Sequence, residues 1–148
     1  MKLLARVLLF PLLAAAVMLG LSVPAAFASN GAQHFNAAGL DFPLGPAPAG
    51  TIPATCPFAA DSSADLTFLS GNAVAYQGGN GINAEGTGQF TVTETDGTAF
   101  VYVGHAHVWA NLTNFTLSFK GSGADGNLSV HIVGNKPHPN QLANVTCS

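Results

Sequence analysis

The chain has 148 residues, of which only 7% are charged, with four Lys/Arg against seven Asp/Glu. Basic residues this scarce exclude the phosphate-neutralising surface that nucleic-acid binding needs and the polybasic patch that anionic lipid needs. The acidic residues are scattered, and no P-loop, G-x-S-x-G or D-x-D motif is present. The composition therefore predicts no catalytic grouping and no cofactor of the nucleotide type.

The first residues, MKLLARVLLFPLLAAAVMLGLSVPAAFAS, pass from Lys2 and Arg6 through an apolar run, Val7 to Val23, to Ala26-Phe27-Ala28. That order is the n-region, h-region and cleavage site of a secretory signal peptide, which predicts a leader over 1–28 and a mature start at Ser29. The competing reading is an uncleaved anchor. The apolar run is slightly short of the roughly 20 residues a spanning helix needs, and Pro24 with A-x-A follows directly. The expected product is secreted and free of the membrane. Cleavage leaves Lys120 and Lys136 against seven carboxylates, a net charge of −5 without any arginine. Uncharged Asn, Thr, Ser and Gly must then supply the solubility that Lys and Glu usually supply.

Residues 29–60 form a Pro/Ala/Gly-rich stretch, with FPLGPAPAGTIPATCPF as its centre. Proline at this density removes ladder donors and favours extended backbone, so an arm is predicted that lies on the domain from about Pro53 onward. The two cysteines, Cys56 and Cys147, belong to an exported chain in which oxidation is the default, and one disulfide between them is expected. Neither has a nearby His or Lys to activate a thiolate.

Residues 61–148 change character, to short β-branched and aromatic runs punctuated by Gly, Asn and Asp. DLTFLS and NAVAY read as two strands. In GQFTVTETDGTAFVYVGHAH, Asp96-Gly97 suits a two-residue type I′ turn, which sets Val92 opposite Val101, Phe90 opposite Val103, Gly88 opposite His105 and Gly86 opposite His107. One face would then carry Phe90, Val92, Val101, Val103, both histidines and Trp109, and is the expected core face; Thr91, Thr93, Phe100 and Tyr102 take the other. In NFTLSFKGSGADGNLSVHIV a turn at Asp125-Gly126 puts Phe115, Leu117 and Phe119 on the side of Leu128, Val130 and Ile132, with His131 opposite Lys120. With a last strand near LANVTC the count is about seven, without helical periodicity. The predicted fold is an all-β antiparallel β-sandwich, immunoglobulin-like or related, with a small β-barrel as the alternative.

The chemistry worth weighing is His105-Ala106-His107. On a strand both imidazoles project to one side and can reach one cation, as in zinc and copper sites. A third ligand is needed; His131, His34, His138, Glu85, Asp125 and Asp96 are the available donors. Glu85 is nearest by the expected register, but strict alternation turns it to the other face. The competing reading is two imidazoles where a core-facing strand opens to solvent, with the glycines opposite leaving room for them.

The segment GTGQFTVTETDGTAFVYVGHAHVW resembles the strand, turn and strand that lead to the H-x-H of chordin-type domains, and copper/zinc superoxide dismutases also place an H-x-H on an all-β scaffold. The resemblance covers some 25 residues and implies metal binding by His105 and His107. VWANL follows in place of a Gly- or Glu-rich continuation, and the other dismutase ligands have no counterpart. More loosely, the signal peptide, the CPF segment and the Thr/Gly-rich strands are similar to small secreted β-proteins of high-GC Gram-positive bacteria, which implies no activity.

N-x-[S/T] triplets at Asn111, Asn114, Asn127 and Asn144 are glycan acceptors only in a secretory pathway that uses them. Tyr76, Tyr102 and Trp109 are candidates for a sugar-stacking platform, Trp109 foremost. Three readings thus leave the sequence: a non-catalytic extracellular binding or structural domain, with the cell envelope as a candidate setting; a zinc- or copper-binding domain centred on His105 and His107; and a carbohydrate-recognition module.

Overall fold

A computed structural model describes residues 31–46, 50–76, 81–135 and 138–148; the expected leader and its cleavage point lie outside them. The elements are β1 (Gln33–Asn36), β2 (Asp41–Leu44), β3 (Ser63–Tyr76), β4 (Gly81–Thr93), β5 (Ala99–Ala110), β6 (Asn114–Gly123), β7 (Gly126–Asn135) and β8 (His138–Cys147). No helix occurs among the described residues. All eight strands belong to one antiparallel sheet, in which β3 to β8 are successive neighbours and β1 and β2 both pair with the free side of β3. The sheet runs open from that side to β8 without closing into a barrel. The all-β antiparallel class is as expected, and the meander lacks the crossovers of an immunoglobulin-type Greek key.

Two expected strands are one. DLTFLS and NAVAY are the halves of β3, joined at a bulge between Phe68 and Ser70. The extra residue, Leu69, is exposed, and it resets the alternation so that Leu66, Phe68 and Ala73 are all buried. The Pro-rich arm joins the sheet much earlier than Pro53: β1 covers Asn72–Ala75 and β2 covers Ala64–Thr67. Both lie at the sheet margin, where Pro43 loses no ladder bond on its outer side. Phe42 of β2 packs edge-on against Phe68, with ring centroids 6.0 Å apart.

One face of the sheet is dry. Phe90, Val92, Tyr102, Ala106, Val108, Leu117, Phe119, Leu128 and Val130 are each at most 3% exposed. No helix among the described residues covers that face, and the sheet packs on itself, which is how a single meander builds a sandwich-like core. Phe90 and Phe119, two strands apart, bring their rings to 5.2 Å across Ala106 and Tyr102 of β5. The folding-over needs close backbone approach, and glycine supplies it: a side chain at Gly104 would strike the Lys120 carbonyl and the Gly121 Cα of the adjacent strand. The Cys56–Cys147 disulfide forms, Cα–Cα 5.0 Å, and ties the β2–β3 connection to β8 at the opposite end of the strand order. Beside it Phe58 is buried against Phe100, centroids 5.8 Å apart, and the Ala59 amide donates to Glu94 Oε1 at 2.9 Å.

The β4–β5 register differs from expectation by one residue. The connection is a three-residue loop: Gly97 N–H donates to the Glu94 carbonyl (3.0 Å), Glu94 N–H to the Thr98 carbonyl (2.8 Å), and Gly97 takes φ 92°. This is a turn followed by a left-handed glycine, one residue longer than the type I′ hairpin. Val92 therefore pairs with Phe100, Phe90 with Tyr102, Gly88 with Gly104, Thr87 with His105 and Glu85 with His107. A one-residue slip turns over every side chain of the strand relative to its partner. The expected core face is right for Phe90 and Val92 and wrong for β5: Tyr102 is buried, whereas Val101 and Val103 are each 43% exposed and the histidines face solvent. Gly86 and Gly88 oppose Ala106 and Gly104, so they leave no space for imidazoles.

The β6–β7 hairpin turns through Ala124-Asp125, between the paired Gly123 and Gly126. His131 consequently lies opposite Ser118 and Lys120 opposite Ser129. The slip here is two residues, which preserves the face, so Leu117, Phe119, Leu128 and Val130 share the core as expected.

Candidate functional site: the outer face of β4 to β7

Cross-strand partners share a face, so the pairings define rows on the wet side of the sheet. One row runs Asn72, Glu85, His107, Ser118, His131, Asn144; the next runs Thr87, His105, Lys120, Ser129, Thr146; a third holds Asn83, Trp109 and Thr116. Across β4 to β7 this face carries two charged side chains, Glu85 and Lys120, among hydroxyls, amides and imidazoles. The sequence expectation that Glu85 points away from the histidines is corrected by the register: it stands directly opposite His107.

The contacts are diagonal. His105 Nε2 is 3.3 Å from Glu85 Oε1, with both side chains about two-thirds exposed, at 64% and 65%. His107 Nε2 lies 2.7 Å from Asn83 Oδ1. An amide oxygen only accepts, so His107 donates from Nε2. Ser118 Oγ and His131 Nδ1 are 2.9 Å apart, which places a hydroxyl beside a base, in the open. Among the described residues, no three His, Cys, Asp or Glu side chains converge on a metal-sized point as they are placed. The side chain of His138 lies outside the described set, and His34, Asp96 and Asp125 are at other edges or turns of the sheet.

Trp109 is outward-facing and half-buried between Asn83 and Thr116. It does not share a platform with Tyr102, which is buried on the opposite side, so the three-aromatic arrangement is not formed. Tyr76, at the end of β3, is exposed. At the other end of the outer face an open depression of about 490 Å³ is bounded by Val103, Lys120, Ser122, Asn127, Ser129 and Thr146. Asn83 and Ser118 were not singled out from sequence, because nothing but register relates them to the histidines.

A second polar group sits where β2 meets β3. Thr67 donates its hydroxyl to Asp41 Oδ1 at 2.8 Å, and the same oxygen is 3.3 Å from Asp65 Oδ2. Burial pushes the Asp65 carboxyl above its ordinary 3.8, the hydrogen bond and negative charge of Asp41 push the same way, and Thr67 opposes them. A carboxyl with a raised folded-state pKa favours the fold fully below its unfolded value, and that contribution is lost as pH rises through the folded value. Asp65→Asn, which keeps a donor toward Asp41, is therefore expected to gain stability over the wild type as pH climbs from 3.8 through that window. Urea unfolding at stepped pH measures it; a difference that is constant with pH contradicts the raised carboxyl.

Comparison of the chain with protein-family models, with curated proteins and with solved structures returns no match.

Proposed function

We propose that the chain is an exported, non-catalytic binding or structural domain that presents the outer face of β4 to β7 to an extracellular partner. The observation that carries this is the face itself: four neighbouring strands, hydrogen-bonding side chains in register, and two charges in all. Its depression is open, so it suits docking of a surface or an extended chain rather than chemistry that must exclude water. Export is supported by the leader pattern of residues 1–28 and by the Cys56–Cys147 bridge, which an oxidising compartment maintains. An intact mass of the secreted product beginning at Ser29, with two hydrogens missing for the disulfide, is the expected result, and a retained leader contradicts it.

The position of Trp109 favours one partner class, an uncharged glycan. Its indole lies between an amide and a hydroxyl, Asn83 and Thr116, which can hydrogen-bond sugar hydroxyls while the ring stacks on the pyranose face. Titration with soluble and insoluble polysaccharides is expected to shift Trp109 fluorescence, and Trp109→Ala to lose binding about tenfold or more. A flat response across neutral glycans contradicts this assignment.

A further inference from the structure

We infer, resting on the glycan-binding role given to Trp109, that the outer face holds a single uncharged polysaccharide chain laid along β5, with Trp109 at one end of the site and the depression beside Val103 at the other. The first observation is the span. Trp109, His107, His105 and Val103 alternate onto one face of β5, and six residues separate the ends. That length, roughly 20 Å at about 3.3–3.4 Å per residue, matches about four linked pyranose rings rather than one.

The second observation is the shape of the far end. The depression, about 490 Å³, is bordered by the exposed Val103 and by Ser122, Asn127, Ser129 and Thr146. That volume falls within the roughly 300–1,000 Å³ usual for small-molecule sites. A pyranose presents a C–H face and a rim of hydroxyls, and here it meets an apolar contact and hydrogen-bonding partners together. One border is already fixed: Asn127 N–H donates to the Ser148 carbonyl at 2.7 Å, and Ser148 N–H donates to the Asn127 carbonyl at 3.1 Å. Little of it then has to be ordered on binding. Between the two ends, His105 and its cross-strand neighbour Lys120, with Ser118 opposite His107, supply polar atoms along the path. Glu85 and Lys120 are opposite in charge, so a polyanion meets no net positive field on this face. A crystalline polysaccharide surface suits several coplanar aromatics, whereas Tyr102 is buried on the other side of the sheet. A separate chain can also settle into a depression that a rigid array of chains only bridges.

The test is titration of the oxidised protein with linear oligosaccharides of glucose, mannose, xylose or N-acetylglucosamine of increasing length, read by calorimetry and by the fluorescence of Trp109, the chain's one tryptophan. In the series that binds, affinity is expected to rise at least about tenfold from two units to four and to level off beyond about five, as a second subsite joined to the first does. This length series uses the unaltered protein. Asn127→Ala/Thr146→Ala, both solvent-facing, is expected to remove most of the gain while disaccharide binding and melting temperature stay unchanged. Crystalline polymer of the same sugar is expected to bind more weakly than the soluble chain. Affinity that does not grow with length, a gain that survives Asn127→Ala/Thr146→Ala, or a preference for the crystalline polymer overturns the single-chain site and leaves the Trp109 assignment standing. A flat response to every length of every sugar overturns the Trp109 assignment, and the extended site with it.

Discussion

Replacing Cys56 and Cys147 together by serine is expected to cost about 4–5 kcal/mol, because the bridge closes a loop with a sequence separation of 91. A small domain holds only about 5–15 kcal/mol in total, so the loss takes a large share of its stability. Position adds to length. The bond connects the β2–β3 segment to β8 at the far end of the strand order, and among the described strands β8 pairs with β7 alone. Without it the sheet is held over on itself by side-chain packing alone. Urea unfolding of the double variant against the oxidised protein measures the loss, and hydrogen exchange should show β8 amides opening first. A cost under about 1 kcal/mol contradicts the bridge as the clamp of the fold.

Gly104→Ala is expected to be as damaging, above about 3 kcal/mol. Ordinary overpacking costs about 1–3 kcal/mol because side chains move aside. At Gly104 the obstacle is the main chain of β6, the Lys120 carbonyl and Gly121 Cα, which cannot yield without breaking the ladder. Gly45→Ala, where nothing lies within 4 Å, is the matched control and should change stability by less than about 0.5 kcal/mol. Equal melting temperatures for the two variants would contradict close strand approach at Gly104.

Composition and alternation were enough to read the class of fold, the disulfide and the core of β6 and β7, where Phe119 and Val130 sit as expected. An error of two residues at the Ala124-Asp125 turn was harmless for that reason. The β4–β5 hairpin was not legible, because the choice between two and three loop residues at Thr95-Asp96-Gly97 is made by local hydrogen bonds such as Thr98 N–H to Asp96 Oδ1 (2.8 Å). Both registers turn apolar residues inward: Val101, Val103 and Trp109 in one, the buried Tyr102 and Val108 with a half-buried Phe100 in the other. The small Ala106 fits the folded-over interior, and Tyr102 leaves one buried hydroxyl without a partner there, where a histidine pair would leave several charge-capable nitrogens dry. The candidate site suffered in the same step. His105 and His107 stand out in the sequence, but Glu85 and Asn83 become their partners only in the longer-loop register. The pairing of the arm is not legible in the sequence for a different reason: β1 and β2 are four residues each, too short for alternation to show, and are held by β3 rather than by their own pattern.

The β4–β5 register decides which side chains reach the outer face, and cross-strand nuclear Overhauser effects between backbone protons of the two strands read it directly. Contacts of Glu85 with His107 and of Gly88 with Gly104 are predicted. Contacts of Gly86 with His107 and of Gly88 with His105 would place the histidines toward the core and contradict it.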